Sequence, residues 1–221
     1  LPIPLVSPRS PEVFASLSIL DLPVTSHLKD TLLLKYYAPK QLQYFHTTHG
    51  WSEDIFHTID WVSSSQDLHH LPYGRKLAMF KLVNGQWPTY KQLHRHHQHP
   101  TPQCPRCASA IETHDHVLQC PSATATRHKS WALVSQVLVE KLKTPPFLIT
   151  ALESGIVAWQ EGRPTLWPFP PPLGTDPFVT AVDAAHQQQS QIGWHHVFRG
   201  HISKQWGYAM SNYNTQRFST P

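Results

Sequence analysis

CPRCASAIETHDHVLQC, residues 104 to 120, contains every cysteine of the chain: Cys104, Cys107 and Cys120. With His116 the spacing is C-x2-C-x8-H-x3-C, which supplies three thiolates and one imidazole, the donor set of a tetrahedral structural Zn²⁺ site. Pro105 fixes φ in a tight turn from Cys104 to Cys107, so two sulfurs can converge on one ion. Residues 112–120 read as one short helix. His116 and Cys120, four apart, leave the same face of it and close the site from the other side. His114 falls on another face, about 240° from Cys120 around the axis, and is the weaker ligand candidate. Four protein ligands leave no open coordination position, so the site is expected to be structural. Other uses of the cysteines fit less well. Three is an odd count for a disulfide framework, a chain of 221 residues does not need stapling, and a redox C-x-x-C lacks its βαβ setting. Ordinary buried cysteines would explain neither the clustering nor the histidine in register.

Outward from this segment the periodicity is helical. Upstream, helices are expected from Pro11 and Glu12 to about Leu20, from His27 to about Tyr37 with a stop at Ala38-Pro39, and in a short stretch opened by Ser52-Glu53-Asp54. Others are expected from Asp60 toward Leu71, from Tyr73 to Val83 with a stop at Asn84-Gly85, and from Thr89 to about His97. Downstream, residues 126–143 place Trp131, Val134, Val137, Leu138 and Leu142 on one stripe of an amphipathic helix. Pro145-Pro146 separates it from a helix over 147–160. The stretch 161–177, with six prolines and two glycines, must be a loop or linker. Asp176 can cap a last pair of helices, from Pro177 to about Val197 and from Ser203 to about Tyr213.

No strand alternation and no internal repeat survives this pass. The expected fold is mainly α: an irregular helical bundle with a small Cys3His zinc knuckle and a Pro-rich loop. Three regions are expected: an N-terminal helical segment over 1–50, a basic helical region with the knuckle over 51–143, and a C-terminal helical region with the Pro-rich linker over 144–221. Trp61, Trp131, Trp159, Trp194 and Trp206 fall in or beside helices. They are expected to pack in the core and not to serve as stacking platforms for bases.

A composition of 40% hydrophobic residues, with eight Trp, seven Tyr and nine Phe, excludes a long disordered tail; 21 Pro and 17 His imply irregular stretches. No run of eighteen apolar residues occurs, so no transmembrane helix and no membrane partner are expected. The start, broken by Pro2, Pro4, Pro8 and Pro11, does not read as a targeting peptide, and an initial Leu suggests a piece of something longer. The net charge of +4 is unevenly spread. From Leu68 to Ile111 there is no Asp or Glu, while Arg75, Lys76, Lys81, Lys91, Arg95, Arg106 and six histidines fall there. A one-signed stretch running into a zinc knuckle is expected to meet a polyanion.

With its flanks, the segment resembles the zinc-binding region that follows the reverse transcriptase domain in retrotransposon-derived polyproteins. The likeness rests on Cys104-Pro105-Arg106-Cys107, a short spacer, and Glu112-Thr113-His114-Asp115-His116-Val117-Leu118-Gln119-Cys120-Pro121. KLVNGQWPT at 81–89, with Trp87 in place of an aliphatic residue, and Ile59-Asp60-Trp61 are similar to the segments upstream of that region. QSQIGWHHVFRGHISKQW at 189–206 resembles the tail of some of these proteins. The resemblance implies a structural zinc module, itself non-catalytic, that helps an upstream polymerase domain engage RNA or DNA. No two of the eight Asp are adjacent, so the paired aspartates of a polymerase are absent from this chain.

The leading expectation is therefore a zinc-stabilised nucleic-acid-binding segment. Cys104, Cys107, His116 and Cys120 would hold Zn²⁺, and Arg75, Lys76, Lys81, Lys91, Arg95, Arg106, Arg127 and Lys129 would meet phosphates. The alternative is a zinc-stabilised protein-interaction module. A third class, a metal-dependent nuclease, would use the histidines at 94–99 with His114 and Asp115. Thiolate zinc suits a reducing compartment, cytoplasm or nucleus.

Overall fold

The computed structural model describes residues 18–19, 22–23, 28–63, 66, 70–169 and 176–219. The fold is mainly α. Among the described residues the one sheet is a two-residue antiparallel ladder between β1 (Ser18–Ile19) and β2 (Leu22–Pro23). The helix expected up to Leu20 lies mostly outside the described residues, and at its end Ser18 and Ile19 pair with Pro23 and Leu22 instead. Of the helix expected from Asp60 toward Leu71, residues 61–63 and 66 are helical, Asp60, His70 and Leu71 are not, and the rest lie outside the described residues.

The chain divides into two compact units, Leu1–Gly50 and Trp51–Pro221. In the first, α1 (Leu28–His49) runs through Pro39 instead of stopping before it. An internal proline removes one intrahelical hydrogen bond and crowds the turn before it, at a cost of about 3 kcal/mol. Side-chain contacts one turn apart bracket the proline, with Lys40 Nζ 3.8 Å from the Tyr36 ring centroid.

The regions 51–143 and 144–221, separate in the sequence reading, belong to the second unit. Its core sits at the C-terminal end. There α7 (Pro146–Gln160), α8 (Pro177–Ile192), a 3₁₀ segment (Trp194–Arg199) and α9 (Lys204–Ser219) bury Leu148, Ala151, Ile156, Phe178, Val182, Ala185, Trp194, Trp206 and Ala209 together. Asp176 caps α8, its carboxylate accepting from Phe178 N at 2.8 Å. Gly155 is where α7 meets Trp194: a Cβ there would lie 2.2 Å from the indole, so only glycine lets the ring seat against the helix. Trp131 and Trp159 pack against this core from its edge, as expected of the helical tryptophans.

A strap from the start of the unit crosses the same end. Trp51 donates its indole N–H to the Ile192 carbonyl at 3.0 Å, Asp60 N donates to Ile202 O at 2.8 Å, and Ile59 bridges Ser203. Gln189, fully buried, donates to His201 O and accepts from Ser203 N, satisfying backbone groups that the strap's turn would otherwise orphan. The strap contains α2 (Glu53–Thr58); α3 (Tyr73–Val83) and α4 (Tyr90–Arg95) lie between it and the knuckle, and α5 (His114–Gln119) is part of the knuckle. The α3 boundaries are the expected ones, and Gly85, at φ +65, ends the helix in the left-handed turn that glycine adopts without penalty.

After a 3₁₀ turn (Pro121–Ala123), α6 (Thr124–Glu140) differs from expectation. Its stripe is not a buried face: Val134 and Val137, with Leu133, Val139 and the following Leu142, are exposed. Only Trp131 reaches the core. Periodicity says which residues share a face, not whether another element arrives to cover it.

Candidate metal centre

Cys104, Cys107, His116 and Cys120 come together, with one ligand atom from each lying within 4.8 Å of all the others. Cys104 Sγ is 3.8 Å from Cys120 Sγ, and Cys107 Sγ is 3.3 Å from His116 Nε2. Around a tetrahedral ion with Zn–S near 2.3 Å and Zn–N near 2.0–2.1 Å, the corresponding edges are about 3.8 and about 3.6 Å. The donor set and its spacing therefore fit a four-coordinate cation.

Two local structures deliver the four atoms. The first is a narrow hairpin closed by the bridge between Gln103 and Ile111. In it Cys104 N donates to Ala110 O and Ala108 N to Cys104 O, both at 2.8 Å. Ala108 takes a positive φ of 54°, which turns the chain sharply just after Cys107. The second is α5, which begins at His114 and not at residue 112. Thr113 is its N-cap, the hydroxyl accepting from His116 N at 3.0 Å, which leaves Glu112 outside the helix. Cys120 is the residue after the helix, so His116 and Cys120 face the ion from consecutive turns as their spacing predicts.

The thiols are not alike. The Ser109 hydroxyl and backbone N–H, with smaller help from His116 and the Ala110 N–H, hold the Cys107 thiol down to about 6. Cys120 is fully buried, and burial pushes its thiol up. Metal binding takes the proton from both. The Cys120 carbonyl accepts from Arg127, which also donates to Thr124 Oγ1, so this guanidinium clasps the knuckle to the first turn of α6.

His114 is not in the ligand set. Its Nε2 is buried and has no hydrogen-bond partner among the described residues, and burial, with the nearby Arg199 cation, lowers its pKa. The carboxylate beside it is paired instead: Asp115 Oδ1 lies 3.5 Å from Arg199. Gln119 donates to the Trp159 carbonyl at 3.0 Å, so α5 is tied to the C-terminal core at both points.

Of the eight cations expected to meet phosphates, Arg75, Lys81, Lys91, Arg95, Arg106 and Lys129 are exposed and make no ion pair among the described residues. Lys76 and Arg127 are half-buried. Glu112, the first acid after the acid-free window, is turned inward, its carboxylate capping α4 at Tyr90 N at 2.8 Å. The histidines at 94–99 serve their own loop. His94 Nδ1 is 3.1 Å from His99 O, and the His99 ring stacks on Tyr90 with centroids 4.0 Å apart. Among the described residues they form no shared metal-binding group with His114 and Asp115; the group that does form is the Cys3His set.

Thr113, Ser109 and Arg127 were not identified as parts of the site from sequence. The one available signal was Thr113, an N-cap residue immediately before the helical register that carries His116. No family model, curated protein or solved structure matches the chain. Among the described residues no helix is long and apolar enough to cross a membrane.

Proposed function

We propose that the chain is a zinc-stabilised nucleic-acid-binding segment of a reverse transcriptase-type retroelement polyprotein, itself non-catalytic, acting beside an upstream polymerase domain in the cytoplasm or nucleus. The observation that carries it is the convergence of three cysteines and one histidine within 4.8 Å, a closed set with the donor chemistry of structural Zn²⁺. The surface around the knuckle supports a polyanionic partner. Its cations face solvent, while its acids are engaged: Glu112 caps α4 and Asp115 pairs with Arg199. The sequence likeness to the region downstream of reverse transcriptase domains supplies the retroelement context.

The test is binding of a labelled RNA or DNA oligonucleotide across a salt series. Six phosphate contacts imply a slope of log K against log salt of roughly −4 on a single strand. A flat dependence, or no binding at low salt, contradicts the reading. A protein-interaction module is the second reading, favoured by the exposed Leu133, Val134, Val137, Val139 and Leu142 around α6. It predicts a zinc-dependent fold with no oligonucleotide binding at any salt.

A further inference from the structure

α3 presents an uncovered face of one composition. Tyr73, Leu77 and Phe80, at i, i+4 and i+7, share one side of the helix, and none of its residues is buried. Tyr73 is 81% exposed and Phe80 59%, and Trp87, just past the Gly85 turn, is 40% exposed. Three large aromatics left in water within fifteen residues contrast with the core, where Trp194 and Trp206 are 3% and 6% exposed. The stretch of sequence that carries them is one-signed, with Arg75, Lys81 and Lys91 exposed and no acidic residue from 68 to 111.

A cationic surface with exposed π-faces fits an anionic polymer whose bases are unpaired. A duplex offers phosphates but keeps its bases stacked inside, whereas a single strand offers both. A protein partner with an acidic apolar face would match the same charge and rings, and it is the outcome in which neither oligonucleotide binds. Tyr73 and Phe80 are seven residues apart, about 10 Å along the axis, so the two rings can meet different bases of one strand. We propose that α3 and Trp87 form a stacking platform for single-stranded nucleic acid, with Tyr73, Phe80 and Trp87 against bases and Lys81 and Lys91 against phosphates. This rests on the nucleic-acid reading above and narrows it to unpaired strands.

The experiment uses the full chain loaded with zinc and fluorescence anisotropy of a labelled oligothymidylate and of a mixed-sequence duplex of equal length, each over a salt series. Two variants are compared with the parent. Y73L/F80L/W87L keeps apolar bulk and charge but removes the rings, and K81A/K91A keeps the rings but removes charge; circular dichroism checks that both remain helical. The proposal expects the single strand to bind at least tenfold tighter than the duplex. The leucine variant should lose roughly 5- to 100-fold on the single strand per base unstacked, with an unchanged salt slope. The alanine variant should flatten that slope by about 1.4. Equal binding of strand and duplex, with the leucine variant unaffected and the alanine variant weakened, overturns the stacking platform and leaves the nucleic-acid reading standing. No binding of either probe at low salt overturns both.

Discussion

The knuckle and the C-terminal core lie in the same unit and are held by different physics. The core around Trp194 and Trp206 buries large apolar side chains against three helices, so its stability is spread over many contacts. The knuckle buries Cys104, Cys120 and Ala123, with Cys107 beside them, and little else. Too little apolar area is removed from water there to fix a hairpin and a six-residue helix, so the ligand set must supply the order. A fold can therefore be cooperative at one end and conditional on an ion at the other, and single changes should act locally in one and globally in the other.

The largest expected effect is metal removal. Chelation, or Cys120→Ser, should collapse amide protection over 103–120 while helices α8 and α9 keep theirs. Hydrogen exchange reads both regions at once, and equal loss in the two would erase the distinction. Next is Trp194→Ala, expected to cost about 3–5 kcal/mol in denaturant unfolding of the core while leaving metal stoichiometry intact. Gly155→Ala should cost about 1–3 kcal/mol, because the added methyl must displace the Trp194 ring. The smallest is Asp176→Ala, about 1 kcal/mol through loss of the α8 cap.

Acidity sharpens the same contrast. Metal binding needs thiolates, and the Cys107 thiol, held down to about 6, is already deprotonated at pH 7.5, whereas burial keeps the proton on Cys120. Zinc binding at pH 7.5 should therefore release fewer protons than the three thiols of the site could carry, with one from Cys120 and essentially none from Cys107. Below about pH 6 both sulfurs compete for protons and affinity should fall more steeply. Calorimetry in buffers of different ionisation enthalpy measures the proton count; a release that does not change across this range would contradict the assignment.

Much of this was legible in the chain, for reasons specific to each element. The ligand set could be read because donor chemistry and helical register are local properties, and the end of α3 because Asn84-Gly85 is a local stop. What failed depended on distant partners. Nothing near Pro39 reveals that α1 continues past it. The stripe on α6 looks like a core face until one sees that only Trp131 meets the core. The burial of Gln189, His196, His201 and Ser203 follows from a strap more than a hundred residues upstream, beyond the reach of any periodicity. Thr113 is a local cap signal, and it sets the start of α5 at His114.

The central claim is that Cys104, Cys107, His116 and Cys120 hold one zinc ion. Elemental analysis of the purified full chain, with cobalt substitution to read the ligands by their thiolate-to-metal absorption, tests it most directly. The expected result is one equivalent of zinc per chain and a tetrahedral three-thiolate cobalt spectrum, both lost in Cys120→Ser. Substoichiometric metal, or a cobalt spectrum without thiolate character, would contradict it.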